Sequence, residues 1–145
     1  MNKTAIIIPS RLDALRLPNK PLELISNKEM ILHVYEAAKK TNTGDVYVAT
    51  PDQKIIDVIT SHGGKAVLTS LDHQTGTDRV YEVFKNELRN EPSLIINLQG
   101  DMPNIDPKAI SDLALYMKTR KCDIGTLASK FVSKGELTDE NNVKV

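Results

Sequence analysis

The chain has 145 residues, and its 19 basic and 19 acidic side chains give a formal net charge of zero. That balance argues against a general electrostatic attraction to nucleic acid or to an anionic membrane surface. A single cysteine, Cys122, excludes an internal disulfide framework and a cysteine-rich zinc site, and it favours a reducing, cytoplasmic compartment. We expect Cys122 itself to be a small buried apolar residue. The apolar run at 5–8, which Pro9 ends, is too short for a signal peptide or a membrane span.

Short runs of β-branched and aliphatic residues predict the strands, in chain order. They lie at 4–9, 45–50, 65–69 and 93–99, with a possible short strand at 22–25 and the start of a further strand at 122–130. Between them, apolar residues at helical spacing predict helices at 29–41, 52–64, 78–90 and 105–119. Asp52 and Asp106 stand where the second and fourth helices need an N-cap, and Pro107 suits a first helical turn.

This alternation predicts an α/β fold: a Rossmann-like, mostly parallel sheet with helices on both faces. In such sheets, ligands bind beyond the carboxyl ends of the strands, so the loops after the first and fourth strands are the candidate site. An alternating apolar pattern starts at the end of the chain and breaks off at Val145. We therefore expect residues 1–145 to be the nucleotide-binding N-terminal portion of one larger α/β domain.

The loop after the first strand carries three cations, Arg11, Arg16 and Lys20, in a stretch with no helical stripe. Each can donate hydrogen bonds to phosphate oxygens, and arginine can donate two in parallel. The loop lacks the glycines and the GK[ST] ending of a P-loop. The composition therefore favours a site for a ligand with several negative charges, and ordinary solvated cations remain the alternative.

The loop after the fourth strand, "NLQGDMP", places Asp101 beyond a glycine. A single carboxylate there suits Mg²⁺, which keeps several waters and takes one or two carboxylates together with substrate phosphates. The alternative is an aspartate that bonds only to its own turn.

A third polar loop, "LDHQTGTDR", combines Asp72, His73, Thr75, Thr77 and Arg79. Thr75 or Thr77 could cap the helix that follows, and a capping role is compatible with a ligand role. His73 is the one histidine in a site-like setting, since His33 falls within a helix and His62 precedes a Gly-Gly stop.

Together these motifs resemble those of the 3-deoxy-manno-octulosonate (Kdo) cytidylyltransferase family. The matching stretches are "IPSRLDALRLPNKPL", "VATPDQ", "DHQTGTDR" and "NLQGDMP", in the family's order and across essentially the whole chain. The resemblance implies the fold of the nucleotide-diphospho-sugar transferases. It also implies an enzyme that transfers CMP from CTP to Kdo, releases pyrophosphate, uses Mg²⁺, serves lipopolysaccharide biosynthesis and acts as a homodimer when full-length.

The resemblance also assigns roles to individual residues. It implies that Arg11 and Lys20 are catalytic and contact the triphosphate, and that Asp101 is catalytic and holds the metal. The implied substrate-binding residues are Pro9, Ser10, Arg16, Asp72, His73, Thr75, Arg79 and Gln99. Within that set, Arg16 would help to close the loop and Gln99 would face the sugar. Thr75 and Arg79 would line the cytosine pocket, together with backbone near Pro9 and Ser10.

Three positions depart from the family pattern. Met102 replaces the glutamate of the usual "GDEP", Ala14 stands where a serine is common, and Asn19 where a glycine is common. Family members are also about a hundred residues longer, so we expect residues 1–145 alone to be inactive. Two alternatives stay open at this point: a related acylneuraminate-type cytidylyltransferase and a non-catalytic nucleotide-binding relic.

Overall fold

The computed structural model describes residues 3–13, 17–120, 122–140 and 142–143, and a parallel sheet organises this part of the chain. Within it, the sheet comprises β1 (Thr4–Pro9), β4 (Asp45–Thr50), β5 (Ala66–Leu68) and β6 (Leu94–Asn97). These strands lie in the order β5, β4, β1, β6, and every pair is parallel. A separate small hairpin pairs β2 (Leu24–Ile25) with β3 (Lys28–Glu29), where the sequence allowed a short strand.

Helices cover both faces of the sheet, as predicted. They are α1 (Met30–Lys40), α2 (Gln53–Ser61), α3 (Gly76–Asn86) and α4 (Pro107–Thr119). A short 3₁₀ helix lies at Lys20–Leu22, and a further short helix, α5 (Lys134–Thr138), buries no residue. Successive side chains of a strand point to opposite faces. Accordingly, Ile6 and Ile8 pack in one core cluster with residues of α1, α2 and α4, while Ile7 packs in a second cluster with α3.

The prediction that a further strand starts at 122–130 is wrong. The described residues of this segment form no strand, and Ile124 is 89% exposed. Residues 123–127 line a groove of about 680 Å³ together with β6 and α4, and they are not hydrogen-bonded to β6 as a further strand would be. Cys122 is exposed, which corrects the expectation that it is buried.

None of the helices in the described ranges combines the length and the apolar character that a bilayer crossing requires.

The core makes a direct stability prediction. Ile55 of α2 is fully buried, whereas Leu24 in the hairpin is 63% exposed. We expect Ile55→Ala to lower the free energy of unfolding by about 2–5 kcal/mol, because it removes buried methyl groups and leaves a cavity. Leu24→Ala is the control and should change it by less than about 0.5 kcal/mol. Urea denaturation measures both, and equal effects would contradict the assignment of the core.

Candidate functional site

Three loops at the carboxyl edge of the sheet enclose a cleft of about 660 Å³. They follow β1, connect β5 to α3, and follow β6, as expected for ligand sites in parallel sheets. The cleft is lined by nine of the residues singled out in the sequence: Pro9, Ser10, Arg11, Lys20, His73, Thr75, Arg79, Gln99 and Asp101.

Two glycines allow these loops to approach the end of β1 closely. A Cβ on Gly100 would lie 2.9 Å from the carbonyl oxygen of Pro9, and one on Gly76 would lie 3.1 Å from Pro9 Cγ. The first distance is too short for any side chain without movement of the backbone. The glycines therefore bring the loop after β6 and the start of α3 against the same residue.

The neck of the cationic loop is held at Leu12. The Leu12 N–H donates to the carboxylate of Asp52 at 2.8 Å, and the Leu12 carbonyl accepts from the Asn19 N–H at 3.0 Å. Arg11 precedes this neck and Lys20 follows it. Both cations therefore start from fixed backbone at the edge of the cleft, although they are separated along the chain.

Asp52 differs from its predicted role. It occupies the N-cap position of α2, but its side chain makes no capping hydrogen bond there and binds Leu12 instead. The expected side-chain cap of α2 by Asp52 is therefore wrong, because the neighbouring loop competes for the same oxygen. Asp106, in contrast, caps α4 as predicted by accepting from the Lys108 N–H at 2.8 Å.

The departure at Asn19 has a conformational explanation. Asn19 has a φ of 61°, in the left-handed region that favours glycine. Asparagine tolerates this region better than most residues. The chain thus keeps the turn that a glycine would make before the 3₁₀ helix.

Lys20 and Asp101 meet across the cleft. Lys20 Nζ lies 3.2 Å from Asp101 Oδ2, and the two side chains are 41% and 56% exposed. An ion pair this accessible contributes little to folding stability. Both groups are therefore available to a ligand that offers a better partner to each.

The third loop, which connects β5 to α3, is held by residues at the start of α3. Thr75 caps α3 by accepting from the Asp78 N–H at 3.1 Å. Arg79, only 3% exposed, donates to the Thr69 hydroxyl and, at 2.9 Å, to the Ser70 carbonyl. Burial lowers the pKa of Arg79, and the nearby positive charge of Arg11 lowers it further. Two arginines therefore lie close enough to repel one another at the cleft.

Glu82, one turn beyond Arg79, binds the same loop. Its carboxylate accepts from the Ser70 N–H at 3.0 Å and forms a short contact with His73 Nε2. Burial alone would raise the pKa of Glu82, but the hydrogen bonds from His73 and Ser70 outweigh it and lower the pKa below its ordinary value.

The charge of the cleft is uneven although the chain is neutral. Arg11, Lys20 and Arg79 line it, while Asp101 is the only carboxylate among the described lining residues. No group of three or more His, Cys, Asp or Glu residues placed to hold a metal occurs in the described part of the chain. The arrangement suits a polyanion, with Asp101 as a single oxygen donor beside it.

Several predicted residues lie elsewhere. Arg16 and Ala14 fall outside the described residues. Asp72 is exposed and does not line the cleft, and its backbone N–H donates to the Ser70 hydroxyl at 3.2 Å. Met102 lines the groove beside β6, not the cleft. Gln99 is in the cleft, and its amide donates to Asn97 at 3.0 Å.

The sequence interpretation missed residues that support the cleft from behind. Asp52 holds the loop after β1, and Glu82 holds the loop between β5 and α3. Gly76 and Gly100 allow the start of α3 and the loop after β6 to approach Pro9. A signal for Glu82 was present, because residues three apart share a helix face and Glu82 stands three after Arg79.

Comparisons with known proteins agree with this geometry. A family model described as cytidylyltransferase matches residues 5–145. The 3-deoxy-manno-octulosonate cytidylyltransferase of Brucella ovis is 40% identical over 144 residues, which are 99% of this chain and 57% of that protein. The protein of the same name from Brucella anthropi is 39% identical over 99% of this chain and 58% of its own length. The chain thus spans less than two thirds of these relatives.

Solved structures match as well. A CMP:2-keto-3-deoxy-manno-octonic acid synthetase complexed with CTP superposes with a TM-score of 0.77 and 42% identity, over 82% of this chain and 48% of the other. A cytidylyltransferase from Leptospira borgpetersenii gives a TM-score of 0.71 at 22% identity, over 82% of this chain and 50% of the other. The second likeness is one of fold.

The buried side chain of Arg79 leads to a prediction about folding stability. Arg79→Ala should lower the free energy of unfolding by about 1–3 kcal/mol, because the Ser70 carbonyl and the Thr69 hydroxyl lose their donor. The control is Lys85→Ala, which removes an exposed cation from the same helix and should have almost no effect. Thermal and urea unfolding compare the two variants. If Arg79→Ala left the free energy of unfolding unchanged, a structural role for the buried guanidinium would be contradicted.

Proposed function

Because the chain belongs to the cytidylyltransferase family, we propose that it forms the nucleotide-binding part of an enzyme that transfers CMP from CTP to Kdo. The observation that carries this proposal is the cleft, whose described lining residues include three cations, Arg11, Lys20 and Arg79, and one carboxylate, Asp101. The relatives that are about 40% identical over nearly the whole chain carry the Kdo enzyme's name. That favours Kdo over an acylneuraminate as the acceptor.

In this proposal, the cations hold and neutralise the triphosphate. The anomeric hydroxyl oxygen of Kdo attacks the α-phosphorus of CTP while the bond from that phosphorus to the bridging oxygen breaks. Pyrophosphate leaves, and the hydroxyl proton passes to solvent. Transfer of this kind needs in-line positioning and charge neutralisation more than a nucleophilic side chain. Arg11 and Lys20, which flank the fixed neck at Leu12, supply donors for the phosphate oxygens.

We assign the base to the wall formed by Thr75 and Arg79, next to Pro9 and Ser10, and the sugar acid to the side of Gln99. His73 belongs to the same wall as Thr75. Asp72 does not line the cleft and Arg16 lies outside the described residues, so their proposed contacts with substrate rest on the sequence motifs.

The residues fit Mg²⁺ in a limited way. Asp101 offers one hard oxygen donor at the cleft, and substrate phosphates and water would complete the shell, as is usual for this ion. When bound, the ion would add positive charge beside the phosphates. Lys20, which pairs with Asp101 in its absence, is free to move to a phosphate oxygen.

The wider setting follows from the substrate. An enzyme that activates Kdo serves lipopolysaccharide biosynthesis, and CTP together with an unpaired cysteine suits the cytoplasm. By family resemblance, we expect the remaining sugar-acid contacts and a homodimer interface in the further part of the domain.

The experiment that tests the proposal is a pyrophosphate-release assay on the full-length protein with CTP, Kdo and Mg²⁺, together with mass detection of CMP-Kdo. Parallel reactions replace CTP by UTP or ATP, or Kdo by an acylneuraminate. Release that requires both CTP and Kdo supports the proposal. Equal binding of all nucleotides in calorimetry, or no product with any sugar acid, would refute it.

Asp101→Asn should mainly lower kcat of the full-length protein, because it removes the one cleft carboxylate that can hold a metal where charge develops. It should also weaken Mn²⁺ binding in the presence of CTP, measured by electron paramagnetic resonance. Asp112→Asn, an exposed carboxylate on α4, is the control. Unchanged turnover and unchanged Mn²⁺ binding would leave Asp101 as a turn residue.

Arg11→Ala and Lys20→Ala should each cost about 2–4 kcal/mol of transition-state stabilisation, the scale of one lost preorganised donor. Their folding stability should change little, since both side chains are accessible and exposed cations rarely support a core. Lys54→Ala, an exposed lysine on α2, is the matched control. Steady-state kinetics on all three variants measure kcat/KM for CTP. If Arg11→Ala and Lys20→Ala kept the kcat/KM of the wild type, the argument for an anion site would fail.

A further inference from the structure

Glu82 lies behind the cleft rather than in it. It does not line the cleft, but it accepts the Ser70 N–H at 3.0 Å and contacts His73 Nε2. His73 does line the cleft. Apart from the long-range effect of its charge, Glu82 can therefore influence a bound ligand through His73 or through the loop that carries it.

The loop is held by a pair of side chains from α3. Arg79 donates to the Ser70 carbonyl at 2.9 Å, and Glu82 accepts from the Ser70 N–H, so both backbone groups of Ser70 are bonded to one helix face. His73 follows three residues later, and its side chain is only 21% exposed. The loop is thus anchored at Ser70, and the contact with Glu82 holds the imidazole itself.

The contact with Glu82 also selects the form of the imidazole. The pKa of Glu82 is lowered, so its carboxylate is ionised at neutral pH and can only accept hydrogen bonds. His73 Nε2 must then carry the hydrogen. In a neutral ring this leaves Nδ1 as an acceptor, and among the described residues no hydrogen bond to His73 Nδ1 is formed.

An acceptor in the wall of a nucleotide cleft distinguishes bases by their exocyclic groups. Cytosine presents an amino group at C4, which donates, whereas uracil presents a carbonyl oxygen there, which accepts. A fixed acceptor can form a hydrogen bond with the amino group of cytosine. It cannot bond to the carbonyl oxygen of uracil, which is itself an acceptor. The cost of such a mismatch is large because neither group is then bonded.

We propose that Glu82 is a positioning residue that fixes His73 with Nδ1 as an acceptor, and that this arrangement favours an amino-bearing pyrimidine over a keto-bearing one. The inference rests on the proposed function, since it takes CTP as the ligand of the cleft. It goes further by assigning base selection to a carboxylate that never touches the nucleotide.

The test is the ratio of CTP affinity to UTP affinity, measured by calorimetry with Mg²⁺ at pH 8, where imidazole side chains are ordinarily neutral. Glu82→Gln should lower that ratio by up to about tenfold, the scale of one hydrogen bond, because an amide can donate to Nε2 as well as accept from it and so no longer holds the ring hydrogen on Nε2. His73→Ala should lower the ratio by a similar factor. In the His73→Ala background, Glu82→Gln should change it less than about twofold, because coupled residues are not additive.

The control is Glu87→Gln, an exposed glutamate at the end of the same helix, which should leave the ratio unchanged. Circular dichroism establishes that each variant is folded. Should Glu82→Gln fail to fold, His73→Ala alone decides, since an unchanged ratio in that variant overturns the proposal. A wild-type protein that binds neither nucleotide would instead refute the proposed function. A wild-type preference for CTP that survives both substitutions would refute only the role of Glu82 and His73.

Discussion

The site depends on how closely three loops approach the carboxyl end of β1. That strand is central in the sheet, and Ile6, Ile7 and Ile8 are fully buried, so the position of Pro9 is set by the core. Gly76 and Gly100 both pack closely against Pro9, and at Gly100 the distance leaves no room for a side chain. The cleft is therefore formed by loop backbone that packs against Pro9, whose position the core sets. The side chains that line the cleft start from this constrained backbone.

Electrostatic tethers then hold the loops in this place. Asp52 follows β4 and binds Leu12 of the neighbouring loop, while Glu82 and Arg79 on α3 bind Ser70. In each case, a side chain at the N-cap or within a helix holds a loop by its backbone. Preorganisation of this kind reduces the ordering that a ligand must impose when it binds. It supports the proposal that the cleft is a nucleotide site, because a flexible triphosphate is bound best by groups already in position.

The strands and helices at 4–9, 45–50, 93–99 and 105–119 could be predicted because they depend on local pattern, and one topological rule pointed to the loops after the first and fourth strands. Parallel strands bring their carboxyl ends to one edge, so Arg11 and Asp101 could be grouped without coordinates. His73, Thr75 and the other cleft residues were expected from the family resemblance. The tether by Asp52 could not be predicted, since its carboxylate suits a helix cap equally well. The failed strand at 122–130 has a similar cause: its apolar residues favour a strand, but strand formation needs a hydrogen-bonded neighbour, which no local pattern specifies.

Arg79 shows why the cleft favours an anion. Burial lowers its pKa, and Arg11 lowers it further, so its charge is held at a cost. Asp52 and Glu82 oppose this, but their carboxylates accept hydrogen bonds from Leu12, Ser70 and His73, and among the described residues neither forms an ion pair with Arg79. Of the described residues that line the cleft, three are cations, Arg11, Lys20 and Arg79, and one is a carboxylate, Asp101, which pairs with Lys20, so the cleft keeps an excess of positive charge. A negatively charged ligand would relieve the repulsion between the two arginines, and the energy released would add to its binding.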